Sequence, residues 1–166
     1  MAEIVWDDQK PSTGSSPAAG TAGNDFLAGL TEGPGSHEAA QKMKTAGNTL
    51  KTLAQNGSFA VNEEGFNAYM KACDFFLKGF NDFMGQASFL GRAADMGNFE
   101  YARSVADFNV KVASDTHEGM LPNLILMREA VDAAQQALVI ARKNYRETES
   151  AHSVSFAELN KKLDNQ

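Results

Sequence analysis

Apolar residues recur at alternating steps of three and four along most of this chain. From Val110 the file runs Ala113, His117, Met120, Leu124, Met127, Val131, Ala134, Leu138, Ala141 and Tyr145. That is the 3.5-residue repeat of a helix that lays a narrow seam against partner helices. It predicts one long amphipathic helix from Asn98, as its cap, to about His152, roughly 80 Å at about 1.5 Å per residue. Gly119 and Pro122 should disturb it, because proline lacks an N–H and crowds the preceding turn. The file keeps its phase across them, so a kink is expected and not a break.

The same spacing predicts two earlier helices. Ser36 is placed to cap one running from His37 to Gln55, with Ala39, Met43, Ala46, Leu50 and Leu53 on its seam. Asn56-Gly57-Ser58 ends it, glycine being the usual left-handed terminator. A second, from Asn62 to Ser88, carries Phe66, Met70, Cys73, Leu77, Phe80, Met84 and Ala87, flanked by Tyr69, Phe76 and Phe83. Laid end to end these two helices span roughly 70 Å, close to the length of the third. The expectation is an all-α, elongated antiparallel helical hairpin, its first arm in two pieces and its reversal near Phe89-Leu90-Gly91.

Seven of the eleven phenylalanines lie between Phe59 and Phe89, an apolar band wider than one neighbouring helix covers. A second chain or a returning N-terminal helix must complete the bundle, and dimerisation is the preferred reading. Phe66, Phe76, Phe80, Phe83, Leu124, Val131 and Leu138 are the expected partner-binding seam. Residues 1–35, rich in Gly, Ser, Pro and Ala and containing Trp6, predict a flexible tail with one apolar island at Asn24–Leu30. The helical domain is expected over 36–152, with a polar tail over 153–166.

The formal net charge of −6 offers no basic face for nucleic acid or anionic lipid. No apolar run approaches the 18 or so residues of a membrane span. Met-Ala-Glu-Ile-Val-Trp-Asp-Asp has neither the basic nor the apolar region of a Sec signal peptide. A single cysteine, Cys73, leaves no intrachain disulfide and reads as a core residue. His37-Glu38 begins like a zinc-binding His-Glu-x-x-His, but Gln41 stands at the second ligand position. His117, on the seam, is expected at a buried or boundary position. With no nameable set of acid, base and nucleophile, the expectation is a non-enzyme without cofactor or metal.

One short motif stands out. Arg142-Lys143-Asn144-Tyr145-Arg146-Glu147-Thr148-Glu149 contains Tyr-x-x-x-Glu, and residues four apart on a helix lie one above the other. A single receptor groove could read the Tyr145 ring and the Glu149 carboxylate together. In this setting of hairpin, seam and absent Sec signal, the chain resembles the WXG (ESAT-like) superfamily, small helical proteins exported by type VII (ESX) secretion systems. The resemblance implies that Tyr145 and Glu149 match that family's export motif, and that Phe89 and Gly91 occupy its Trp-x-Gly turn with Phe for Trp. It also implies dimerisation, self or hetero, contact with the secretion machinery, and secretion without a cleaved Sec peptide. An elongated member, or an adaptor that accompanies a toxin or effector, is the form that fits this length. An intracellular helical chaperone or assembly module sharing only the shape is the alternative.

Overall fold

The computed structural model describes residues 17–163, with side-chain surroundings described over 19–150 except at Ser88. Within them the chain is all-helical. Five helices follow one another: α1 Pro17–Glu32, α2 His37–Gln55, α3 Glu63–Gln86, α4 Glu100–Ser114 and α5 Met120–Leu163, with short 3₁₀ turns at Gly33–Gly35 and Ala87–Phe89. No strand occurs among the described residues.

The boundaries of α2 and the start of α3 follow from their caps. The Ser36 hydroxyl accepts from the Ala39 N–H at 3.2 Å, and the Asn62 carboxamide oxygen accepts from the Gly65 N–H at 2.8 Å, each satisfying an otherwise orphaned donor. Gly57, at φ +72°, ends α2: Ser58 N–H reaches the Leu53 carbonyl at 2.8 Å and Gly57 N–H the Ala54 carbonyl at 3.1 Å. That pair of bonds is the Schellman arrangement, and it needs the left-handed backbone glycine adopts most readily.

α5 is the axis of the fold, and the two shorter arms lie beside it, not end to end. Contacts from the start of α2 to its end pair His37 with Asn123, Lys44 with Glu129 and Ala54 with Asn144, so α2 runs parallel to α5. Along α3 they pair Glu63 and Phe66 with Arg142, Asp74 with Gln135 and Phe80 with Arg128, so α3 runs antiparallel beside the same stretch. Among the described residues no Cα of α2 comes within 8 Å of one in α3. The expected simple hairpin is therefore replaced by a long helix flanked on two sides. Periodicity shows which face of a helix is apolar, but not which neighbour covers it.

The predicted long helix is likewise two helices. Asp115 leaves helical geometry at φ −56°, ψ 137°, and its carboxylate accepts from the His117 N–H at 2.9 Å and the Glu118 N–H at 3.2 Å. These local bonds favour a turn over helix continuation. Pro122 then falls in the first turn of α5, where its missing N–H costs no intrahelical bond. The expected kink is a break. The N-cap of α4 is Phe99, without a side-chain cap; Asn98 instead accepts a bond from Arg103 at 3.2 Å.

Residues 17–32, expected within a flexible tail, form α1 and pack on α2. Ala19 and Ala22 are buried, and Phe26 of the apolar island packs against the core. Glycines give this segment poor helix propensity, and the alanine contacts with α2 override it. Residues 1–16, Trp6 included, lie outside the described residues. At the other end α5 continues helically through 153–163, where a polar tail was expected.

The core has two unlike halves. Between α2 and α5 it is built of Ala40, Met43 and Ala54 against Met127, Ala130, Ala134, Ala137 and Ala141, all buried. The helices approach so closely that a Cβ on Gly47 would sit 2.6 Å from the Ala130 carbonyl oxygen. Between α3 and α5 the contact is bulkier, with Phe66, Cys73, Val131 and Leu138 buried and Met70, Phe76 and Leu77 partly so. Cys73 is a core residue, and burial pushes its thiol pKa up, which keeps it protonated.

Candidate functional site

Asn144 marks the place where α5 leaves the bundle. Its amide donates to the Ala54 carbonyl in the last turn of α2 at 2.7 Å, and Glu63, opening α3, holds Arg142 at 2.9 Å and Arg146 at 3.8 Å. Both flanking helices stop here. The connection between them returns Phe59 and Val61 to the core.

Tyr145 is the next member of the file Val131, Ala134, Leu138, Ala141, so the core-facing side of α5 emerges from cover at this residue. Its ring is partly exposed, and Glu149 one turn further is exposed. The Glu149 carboxylate, by hydrogen bonding and by its charge, pushes the Tyr145 pKa above the ordinary phenol value, because both favour the protonated hydroxyl. The pair thus presents an aromatic ring, a hydroxyl and a carboxylate fixed by one helical turn. Beside it an open groove of about 310 Å³ is lined by Phe66, Val139, Arg142, Lys143, Arg146 and Glu147. The Arg142 guanidinium lies 4.4 Å from the Phe66 ring centroid. The groove thus has an apolar floor and a rim of paired charges, Arg142 and Arg146 with Glu63 and Lys143 with Glu147.

The expected turn motif lies at the opposite end of α3. Phe89 is 63% exposed, and Gly91 follows it in the loop toward α4, which leads to no contact between α3 and α4 themselves. With α3 24 residues long, about 36 Å separates this loop from the Glu63 end near Tyr145. The structure does not bring the two expected motifs together.

The expected partner seam is taken up mostly by the chain's own packing. Phe66, Val131 and Leu138 are buried, and Leu124 and Phe76 pack against them. Phe80 is partly buried with Arg128 5.8 Å from its ring centroid, and only Phe83, at 37%, is appreciably exposed. Tyr69 and Phe89 are also open, and beyond them lies aromatic surface the periodicity did not single out: Phe75, Phe99, Tyr101 and Phe108.

Sequence reasoning also missed Asn123, which is fully buried. Its amide donates to the Pro34 carbonyl at 3.0 Å, and its carbonyl oxygen lies 2.8 Å from His37 Nδ1. With Nδ1–H donated there, His37 Nε2 accepts from the Gln41 amide at 3.0 Å. A polar residue inside an apolar file, at the first turn of a helix, was the available signal. His117 is exposed, where a buried or boundary position was expected, because the Asp115 turn lifts it off the seam; its ring stands edge-on to His37 at 6.1 Å. Among the described residues no three His, Cys, Asp or Glu side chains gather to hold a metal, and no helix is long and apolar enough to cross a membrane. Comparison of the chain with family models, with curated proteins and with solved structures finds no match in any of the three.

Proposed function

We propose that this chain is a non-enzymatic helical protein of a type VII (ESX) secretion pathway, either exported itself or escorting a toxin or effector, and read through Tyr145 and Glu149. The observation that carries the reading is the emergence of α5 from its bundle at Tyr145. A file of residues that packs against helices for five turns arrives at a half-exposed ring with an exposed carboxylate one turn on. A receptor helix or groove laid over that turn extends the packing of the core outward and meets both groups at once. The Tyr-x-x-x-Glu spacing resembles the WXG superfamily's export motif, and a route without a cleaved Sec peptide accompanies it. Recognition through Phe89 and Gly91 draws less support, since their loop is far from Tyr145 and is not the reversal of a two-helix hairpin.

The test is export from a host with a working type VII system, comparing wild type with Tyr145→Ala, Tyr145→Phe and Glu149→Gln while following cytosolic accumulation and melting temperature. Loss of export in Tyr145→Ala with normal accumulation and stability is the expected result. Export of all four forms alike, or of none, would remove the reading. The exposed aromatics of α4 favour one second reading, an intracellular chaperone or assembly module that holds a partner there. Under it, α4 substitutions abolish partner capture and Tyr145 substitutions change nothing outside the cell.

A further inference from the structure

We propose that α4 is a self-pairing helix, through which two copies of this chain join in antiparallel register about a two-fold axis. The surface is distinct from the Tyr145–Glu149 end, and the inference stands whether or not the chain is exported.

α4 has two apolar faces. Ala106 and Ala113 are buried toward α5, and these short side chains let the helix lie close to it. About a third of a turn around, Tyr101, Val105, Phe108 and Val112 form a second file with steps of four, three and four, the spacing of a seam that meets another helix. Most of that file faces solvent: Tyr101 is 81% exposed, Phe108 64% and Val112 53%, with Val105 half-buried. Whole aromatic side chains bury about 150–250 Å² each, so the file offers roughly 500 Å² per copy. Two copies bury roughly 1,000 Å², at the lower edge of specific interfaces, which corresponds to a concentration-dependent dimer.

The charges beside the file select the partner and its direction. Lys111 and Glu100 flank the same edge, near opposite ends of α4. If the axis passes between Val105 and Phe108, Tyr101 meets Val112 of the other copy and Val105 meets Phe108. Glu100 of each copy then comes alongside Lys111 of the other, twice per dimer. Asp107, nearest the axis, points further round toward solvent. In a parallel pair the edge that carries Glu100 and Lys111 would instead face the Ala102 and Asn109 edge of the other copy, where neither charge finds its opposite. In a chain of formal net charge −6, where copies repel, such local complementarity is what allows self-association.

The experiment is sedimentation velocity of the full chain across a concentration series reaching roughly 100 µM, where an interface of this size still associates. Wild type is expected to pass from monomer to dimer. Phe108→Glu, at an exposed position, should weaken the dimer by roughly tenfold or more with unchanged circular dichroism. Glu100→Lys and Lys111→Glu should each weaken it, and the double variant Glu100→Lys/Lys111→Glu should restore it. A wild-type monomer at every concentration would assign the face to a different chain and overturn the proposal. So would a dimer indifferent to Phe108→Glu, which must use another surface. Failure of the double variant to rescue would overturn the antiparallel register, and the proposal with it.

Discussion

α5 touches its two neighbours in opposite ways. On the α2 side the contact is made mostly of alanines, with Met43 and Met127 among them, and the backbones are drawn so close that Gly47 has no room for a Cβ beside Ala130. On the α3 side it is made of phenylalanine, leucine and methionine, with cations laid over the rings at the edge: Arg128 on Phe80 and Arg142 on Phe66. The first contact excludes water through proximity and leaves little side chain outside. The second spreads wider than the helix it covers, and Phe75 and Phe83 remain in solvent. Small residues close a helix pair; large ones fill it and leave material for another surface. The division places fold stability chiefly along α2 and α5, and recognition on the aromatic side and at the emerging end of α5.

Substitutions can break this contrast in order of size. Leu138→Ala, at a site 6% exposed where the α3-side core is deepest, is expected to cost about 2–5 kcal/mol in denaturant unfolding. Gly47→Ala should cost about 1–3 kcal/mol by forcing α2 off Ala130, although alanine is otherwise the better helix former. A stabilised Gly47→Ala protein would mean the two backbones are not in close contact. Asn123→Ala removes the partner of a buried carbonyl and of His37, and about 1–3 kcal/mol should be lost. Phe75→Ser, at 83% exposure, should stay within about 0.5 kcal/mol of wild type.

The contrast can also be sharpened by titration. Tyr145 is expected to ionise above the ordinary value of about 10, and Glu149→Gln should bring its pKa down toward that value. Tyrosinate absorbance in a Tyr69→Phe/Tyr101→Phe background reads this residue alone. Since the folded pKa lies above the unfolded one, the interaction's contribution to stability is fully present below the unfolded pKa. It is lost as pH rises through the folded pKa. An unshifted Tyr145 titration would mean that the pair is not formed in solution.

The sequence announced much of this arrangement and concealed the rest for identifiable reasons. Ser36, Gly57 and Asn62 bound α2 and α3 because capping is local chemistry, and the files through Phe66 and Leu138 name buried residues because burial follows periodicity. The break at Asp115 was hidden because an apolar file can keep its phase across a short turn. The parallel course of α2 was hidden because alanine seams look alike from either direction. α1 was masked by glycines that its packing overrides. The α4 file of Tyr101 and Phe108 was hidden because it lies on a different face of that helix from the file that continues through Ala113 to Tyr145. At the candidate site, the Tyr145–Glu149 pairing was readable from the four-residue spacing. The pairing of Arg142 and Arg146 with Glu63 was not, since it joins residues distant in the chain.

Amide hydrogen exchange along the whole chain tests the division most directly, since protection follows local burial and the free energy of opening. Exchange should be slowest through α2 and residues 127–141 of α5, intermediate in α3, and fastest in α4 and from Tyr145 to Ser150. Protection in α4 should rise with protein concentration as copies pair. Protection in α4 equal to that of α2 in dilute solution, or rapid exchange at Ala130–Ala141, would contradict the account.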